Sequence, residues 1–203
     1  MVPVRPLLLV LAHVLFAIAP SNASPSSCSA SSLSPEYSFQ LNNIGSGDGT
    51  LHWKVDGAFP PSTVSFKFCV NREAWLALAV SADIEMSDSD AVILLDNAVK
   101  KHWIGGYSTY SIYVLPDPQQ TLTGTDFSQG SGETCMSYTR VLSTSGTNEL
   151  SIDPSSDQHF IWAYGSSGTL ALSHHSSQDR GSVVINLLGN SCGVEGEAGV
   201  GAK

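Results

Sequence analysis

The sequence predicts an all-β chain of nine or so short strands, folded as a sandwich or a closed barrel. Three observations carry this. The apolar residues recur with period two or in runs of four to seven, and no amphipathic stretch of ten or more residues suits a helix. Turn-forming clusters punctuate those runs: Gly45-Ser-Gly-Asp-Gly, Pro60-Pro61, Pro116-Asp-Pro118, Gly130-Ser-Gly132 and Gly165 to Gly168. The composition is 42% hydrophobic but only 13% charged, which excludes both a disordered chain and a coiled coil. The 203 residues suit one domain.

Taken in order, the N-terminus reads as a secretory leader. Arg5 supplies the positive start, and residues 7–19 form an apolar run too short to span a bilayer. Ser21 and Ala23 are small residues at −3 and −1 of a cleavage site, so the leader is residues 1–23. A sandwich over 24–190 and a short polar tail over 191–203 follow. Beyond the leader no stretch is long and apolar enough to cross a membrane, so the expected location is outside the cell. Nine Lys+Arg against eighteen Asp+Glu give a net charge of −9, which argues against nucleic-acid binding.

Strand-like runs occupy 51–55, 64–70, 75–80, 91–95, 110–115, 135–142, 160–164, 169–172 and 182–188. In 64–70 the alternation puts Val64, Phe66, Phe68 and Val70 on one face. Cys28, Cys69, Cys135 and Cys192 form an even set, which in an exported chain suggests two disulfides. Four cysteines allow three pairings; the preferred one is Cys28–Cys192, tying the ends, with Cys69–Cys135, tying two strands. No Cys-x-x-Cys supports a zinc ribbon, and Cys-x-x-Cys-His, needed for covalent haem, is absent.

Few residues can carry chemistry. Met86 sits in a polar loop, Ser81-Ala-Asp-Ile-Glu-Met-Ser-Asp-Ser-Asp90, where a soft thioether can ligate a metal or cap a core. His174 and His175 are adjacent, so on a strand at most one points into a given pocket. Methionine plus histidine as axial ligands suits a six-coordinate haem iron in electron transfer. Trp75, Leu76, Phe68, Ile93, Trp162 and Tyr164 can line an apolar slot for it, or simply form core. The acids Asp83, Glu85, Asp88 and Asp90 read as a solvated rim. No hydrolase or phosphate-loop motif occurs.

Four blocks in order resemble the DOMON domain family. Trp75-Leu-Ala-Leu-Ala-Val-Ser and Met86-Ser-Asp-Ser-Asp-Ala-Val resemble its opening signature. Thr139-Arg140-Val-Leu-Ser-Thr resembles its Phe-x-Arg-x-Leu-x-Thr strand. Phe160-Ile-Trp-Ala-Tyr-Gly and His174-His-Ser-Ser-Gln-Asp-Arg180-Gly-Ser resemble its closing His…Arg-Gly-Ser region. The resemblance implies an immunoglobulin-like β-sandwich of about nine to eleven strands. In the redox branch, similar to the cytochrome domains of secreted sugar dehydrogenases and to the DOMON part of cytochrome b ferric reductases, it implies non-covalent haem b. The ligands would be Met86 and His175, with His174 as the alternative, and Trp75 and Trp162 would be haem-slot residues. One departure is Ala79, where the family usually has glycine. The implied function is a secreted one-electron carrier rather than an enzyme. Its partner would be a membrane cytochrome b, a quinone, ascorbate or a secreted oxidoreductase such as a copper oxygenase. The alternative is a haem-free module binding carbohydrate or acting in adhesion, with Trp53, Trp103, Tyr107 and Tyr110 exposed to stack on sugars.

Overall fold

The computed structural model describes residues 28–193, apart from 59, 167, 169, 190 and 191. The leader over 1–23, its cleavage site and residues 194–203 of the tail lie outside the described residues.

Two antiparallel sheets make the sandwich. The first holds β1 (Ser29–Ala30), β2 (Phe39–Ile44), β3 (Gly49–Asp56), β4 (Thr63–Val70), β9 (Thr123–Gly130) and β10 (Glu133–Val141), in the order β1-β2-β3-β4-β10-β9. The second holds β5 (Leu76–Ser81), β6 (Ser89–Leu95), β7 (Ala98–Ile104), β8 (Ile112–Val114), β11 (Asp157–Tyr164), β12 (Arg180–Asn186) and β13 (Cys192–Gly193), in the order β13-β12-β11-β5-β6-β7-β8. Two single-turn 3-10 helices, Thr109–Ser111 and Asp117–Gln119, are the helices among the described residues.

The strand count exceeds the expected nine to eleven because β1 and β13 are two-residue pairings at the sheet ends. β9 was invisible to periodicity because most of it is exposed on both faces. The apolar run at 169–172 is not a strand: Leu170, Ala171 and Leu172 belong to the long loop between β11 and β12. The run at 110–115 splits into a 3-10 turn and β8.

Period two decides which side chains fill the interior. β4 directs Val64, Phe66, Phe68 and Val70 inward, and β10 adds Met136 and Tyr138. From the second sheet come Leu76, Leu78, Val80, Val92, Leu94, Phe160, Trp162, Tyr164, Val183 and Ile185. Gly181 is required on β12 because the Trp162 indole lies against it; a Cβ there would meet that ring at 2.6 Å.

Two disulfides are formed. Cys69 and Cys135 are directly opposite across β4 and β10, with Cα atoms 4.0 Å apart. Cys28 joins Cys192 over a Cα separation of 5.5 Å, linking the two ends of the described chain.

One buried ion pair crosses the sandwich. Arg140 on β10 donates from Nη2 to Asp90 Oδ2 on β6 at 2.8 Å and to the Leu150 carbonyl at 2.9 Å. The Leu150 amide donates to the same carboxylate oxygen at 3.0 Å. Asp90 is thus fully buried, not part of a solvated rim. Its desolvation is tolerable only because a charge partner and an amide meet it there. A second buried pair joins Lys101 of β7 to Glu149.

Candidate functional site

The second sheet has a second apolar surface, on its outer face. In β5 the residues between the inward leucines and valine are Ala77 and Ala79. With Trp75, Ala91, Ile93 and Ile104 they form a cluster separate from the main core, and Met86, Ile161, Ala163 and Leu172 pack against it. The register aligns Ile161, Ala79, Ala91 and His102 in one cross-strand row and Ala163, Ala77 and Ile93 in the next. The result is a floor paved largely with methyl groups. Ala79, the departure from the family's glycine, lies in that floor and is buried.

Two loops close over this floor from opposite ends of β5. Residues 82–88 follow its C-terminal end and carry Met86. The Glu85 carbonyl accepts hydrogen bonds from Ser81 Oγ at 2.9 Å and Ser89 Oγ at 3.1 Å, so both strand ends fix the residue before the methionine. The Glu85 amide donates to Asp83 Oδ1 at 3.2 Å. Ile84 is held at φ 67°, a left-handed conformation that a β-branched side chain adopts only when its surroundings impose it.

Residues 165–179 form the other loop. It passes close to Trp75: a Cβ on Gly165 would lie 2.4 Å from the indole. Trp75 Nε1 donates to Ser173 Oγ at 3.1 Å, and Leu172 packs on the outer cluster. Ser176 Oγ donates to Asp179 Oδ2 at 2.7 Å, and Arg72 Nη1 holds the same carboxylate through Oδ1 at 2.9 Å. His175, between those tethers, lies with its ring 6.3 Å from that of Trp75. Burial, aided by the nearby Arg180 charge, pushes its pKa down. His174 is exposed.

The structure places Met86 and Trp75 at the outer-face cluster, sets His175 beside Trp75, and leaves His174 at the surface. Trp162 is corrected: it faces the sandwich interior, stacked on Tyr164 with centroids 5.7 Å apart, on the opposite side of the sheet from Met86. Phe68, Leu76 and Tyr164 are interior for the same reason of strand parity, whereas Ile93 is on the outer face. Trp53 is also corrected. It is fully buried and donates from Nε1 to the Leu187 carbonyl at 3.2 Å, so it cannot stack on a sugar. Trp103 is half-buried, while Tyr107 and Tyr110 are exposed. Sequence reasoning missed His159 and Ser182 on this face, although the alternation of β11 already places His159 with Ile161 and Ala163.

Comparison with known proteins follows the same lines. The DOMON domain family matches residues 45–165, from the β2–β3 turn to the end of β11. The chain belongs to the DOMON domain family. Its Asp90 and Arg140 blocks meet in the buried ion pair, and its tryptophan and methionine blocks meet at the outer cluster. Among solved structures, the cytochrome b domain of pyranose dehydrogenase from Coprinopsis cinerea is similar to this DOMON domain at 13% identity. That likeness covers 68% of this chain and 77% of that one, with a TM-score of 0.47. No curated protein matches the chain.

Proposed function

We propose that this DOMON domain binds haem b non-covalently on the outer face of its second sheet and serves as a one-electron carrier. The observation that supports it is that Met86 packs on one alanine-floored apolar cluster whose Trp75 has His175 beside it. The residues fit the group. A macrocycle needs an apolar slot with small side chains beneath it, and Ala77, Ala79, Ala91 and Ala163 provide that. The iron needs one soft and one imidazole ligand, and thioether and neutral imidazole are the donors present. Bound haem would supply a ferric–ferrous couple, with both axial positions filled by protein.

The chain's own residues do the rest. Trp75 and Ser173 orient the loop carrying His175, and the Ser81 and Ser89 hydroxyls fix the loop carrying Met86. The two disulfides suit an oxidising compartment, which supports an exported protein. Among the described residues no helix is long and apolar enough to cross a membrane. The proposed electron partner is a separate molecule: a membrane cytochrome b, a quinone, ascorbate or a secreted oxidoreductase. With a net charge of −9 over the whole sequence, the protein would meet a basic patch on such a partner.

A visible spectrum of protein expressed with haem, before and after dithionite, tests this. Narrow α and β bands on reduction are expected, and Met86→Ala and His175→Ala should each convert the spectrum to a five-coordinate or haem-free form. His174→Ala should change nothing. A colourless protein that takes up no added haem would overturn the proposal and favour the carbohydrate reading, which now rests on the exposed Tyr107 and Tyr110.

A further inference from the structure

Two polar atoms on the outer face of the second sheet are buried with no hydrogen-bond partner among the described residues: His159 Nδ1 and Ser182 Oγ. Ser182 itself is only 4% exposed. Native proteins almost always pair such atoms, so a buried orphan calls for a ligand or an ordered water. Two orphans on adjacent strands ask for the same explanation.

Their position is set by the register. His159 on β11 is opposite Val184 of β12 and Ser81 of β5. Ser182 is opposite Ile161, two residues along on the same face. The two are diagonal neighbours on one face of the β11–β12 pair, about 7–8 Å apart along that diagonal. Ser182 continues the row Ile161, Ala79, Ala91, and His159 continues the row of Ser81, whose hydroxyl pins the Met86 loop. The orphans therefore border the alanine floor on its β12 side, while Met86 and His175 stand at its two ends.

A serine hydroxyl donates a hydrogen bond. An imidazole Nδ1 donates too in the tautomer that carries its proton there. Two donors bordering an otherwise apolar surface suit an oxygen acceptor on the rim of an apolar ligand, and a carboxylate makes the strongest such bonds. We infer that Ser182 and His159 anchor a carboxylate on the edge of the cofactor bound over the alanine floor, which for haem b is a propionate. This rests on the haem reading above. Both are positioning residues that add affinity and orientation, and neither ligates the metal.

The inference has an unusual stability corollary. Removing an unpaired buried hydroxyl should leave the ligand-free protein as stable as before or more so, because nothing satisfies that group without ligand. The same change should weaken the ligand.

The test titrates the full chain with hemin and with hemin dimethyl ester, whose carboxylates are blocked, and measures thermal stability without either. Wild type should bind hemin about tenfold or more tightly than the ester, the range of hydrogen bonds to a charged acceptor. Ser182→Ala and His159→Phe should lose most of that preference, with the ester's affinity unchanged and the axial-ligand bands in place. Ser182→Thr, which keeps a hydroxyl, should retain part of the preference. Equal binding of hemin and ester by wild type, or an undiminished preference in both variants, would overturn the inference and assign the orphans to an internal water, with Met86 and His175 still ligating. Failure of wild type to take up either compound would overturn this inference together with the haem reading.

Discussion

The two faces of the second sheet are built from alternate residues of the same strands, yet they differ in kind. The inner face carries Leu76, Leu78, Val80, Val92 and Leu94, bulky side chains that meet the other sheet and fill the sandwich. The outer face carries Ala77, Ala79 and Ala91, which have no facing sheet and are nonetheless buried, because two loops cover them. A face meant only for water would carry polar residues at these positions. A face meant only for stability would carry larger ones, since alanine contributes little area. These small residues are kept dry by the loops that carry Met86 and Leu172, which pack on them.

Mutations should separate the two faces. The largest effect is expected at the clamp that ties the inner face to the opposite sheet. Arg140→Ala leaves Asp90 buried without its counter-charge and should cost about 3–5 kcal/mol in urea unfolding. Leu78→Ala opens a cavity in the interior and should cost about 2–5 kcal/mol while leaving haem affinity intact wherever the protein is folded. Its neighbour gives the reverse result. Ala79→Leu builds onto the outer floor, should cost about 1–3 kcal/mol by overpacking, and should abolish haem uptake seen by absorbance titration. Equal haem affinity in Leu78→Ala and Ala79→Leu would erase the functional distinction between the faces.

The smallest effect is a pH dependence. His102, on the outer face of the second sheet, and His52, on the first, have pKa values lowered chiefly by burial. A depressed histidine binds its proton less readily folded than unfolded. Stability is therefore complete above the unfolded value of about 6.5 and is lost as pH falls through that value towards the folded one. Melting should occur at lower temperature at pH 5.5 than at 7.5, and His102→Gln or His52→Gln should each flatten that slope by calorimetry.

Much of this was legible beforehand where one residue decides its own environment. The alternation of β4 put Val64, Phe66, Phe68 and Val70 on the face the structure buries, and the apolar runs of β5 and β6 located the central strands. What stayed hidden depends on partners distant in sequence. Asp90 looked solvated because its arginine is fifty residues away. β7 is absent from the apolar runs because it carries Lys100, Lys101 and His102, and the residue that pairs with Lys101 is Glu149, 48 residues on. Trp162 reads as slot lining or core, and Trp53 as a sugar platform or a strand residue, until strand parity and register assign each a side. The run ending at Leu172 has strand-like composition yet serves as a lid, since its apolar residues are spent on the outer face of someone else's strand.

The carbonyl of Glu85 accepts two serine hydroxyls at the ends of neighbouring strands, so the backbone beside Met86 is held from both sides. A ligand presented by a fixed backbone shifts little when the metal it holds gains or loses charge. Under the haem proposal this fixed backbone would hold Met86 with little movement as the iron changes charge, leaving electron exchange to the distance and orientation of the partner.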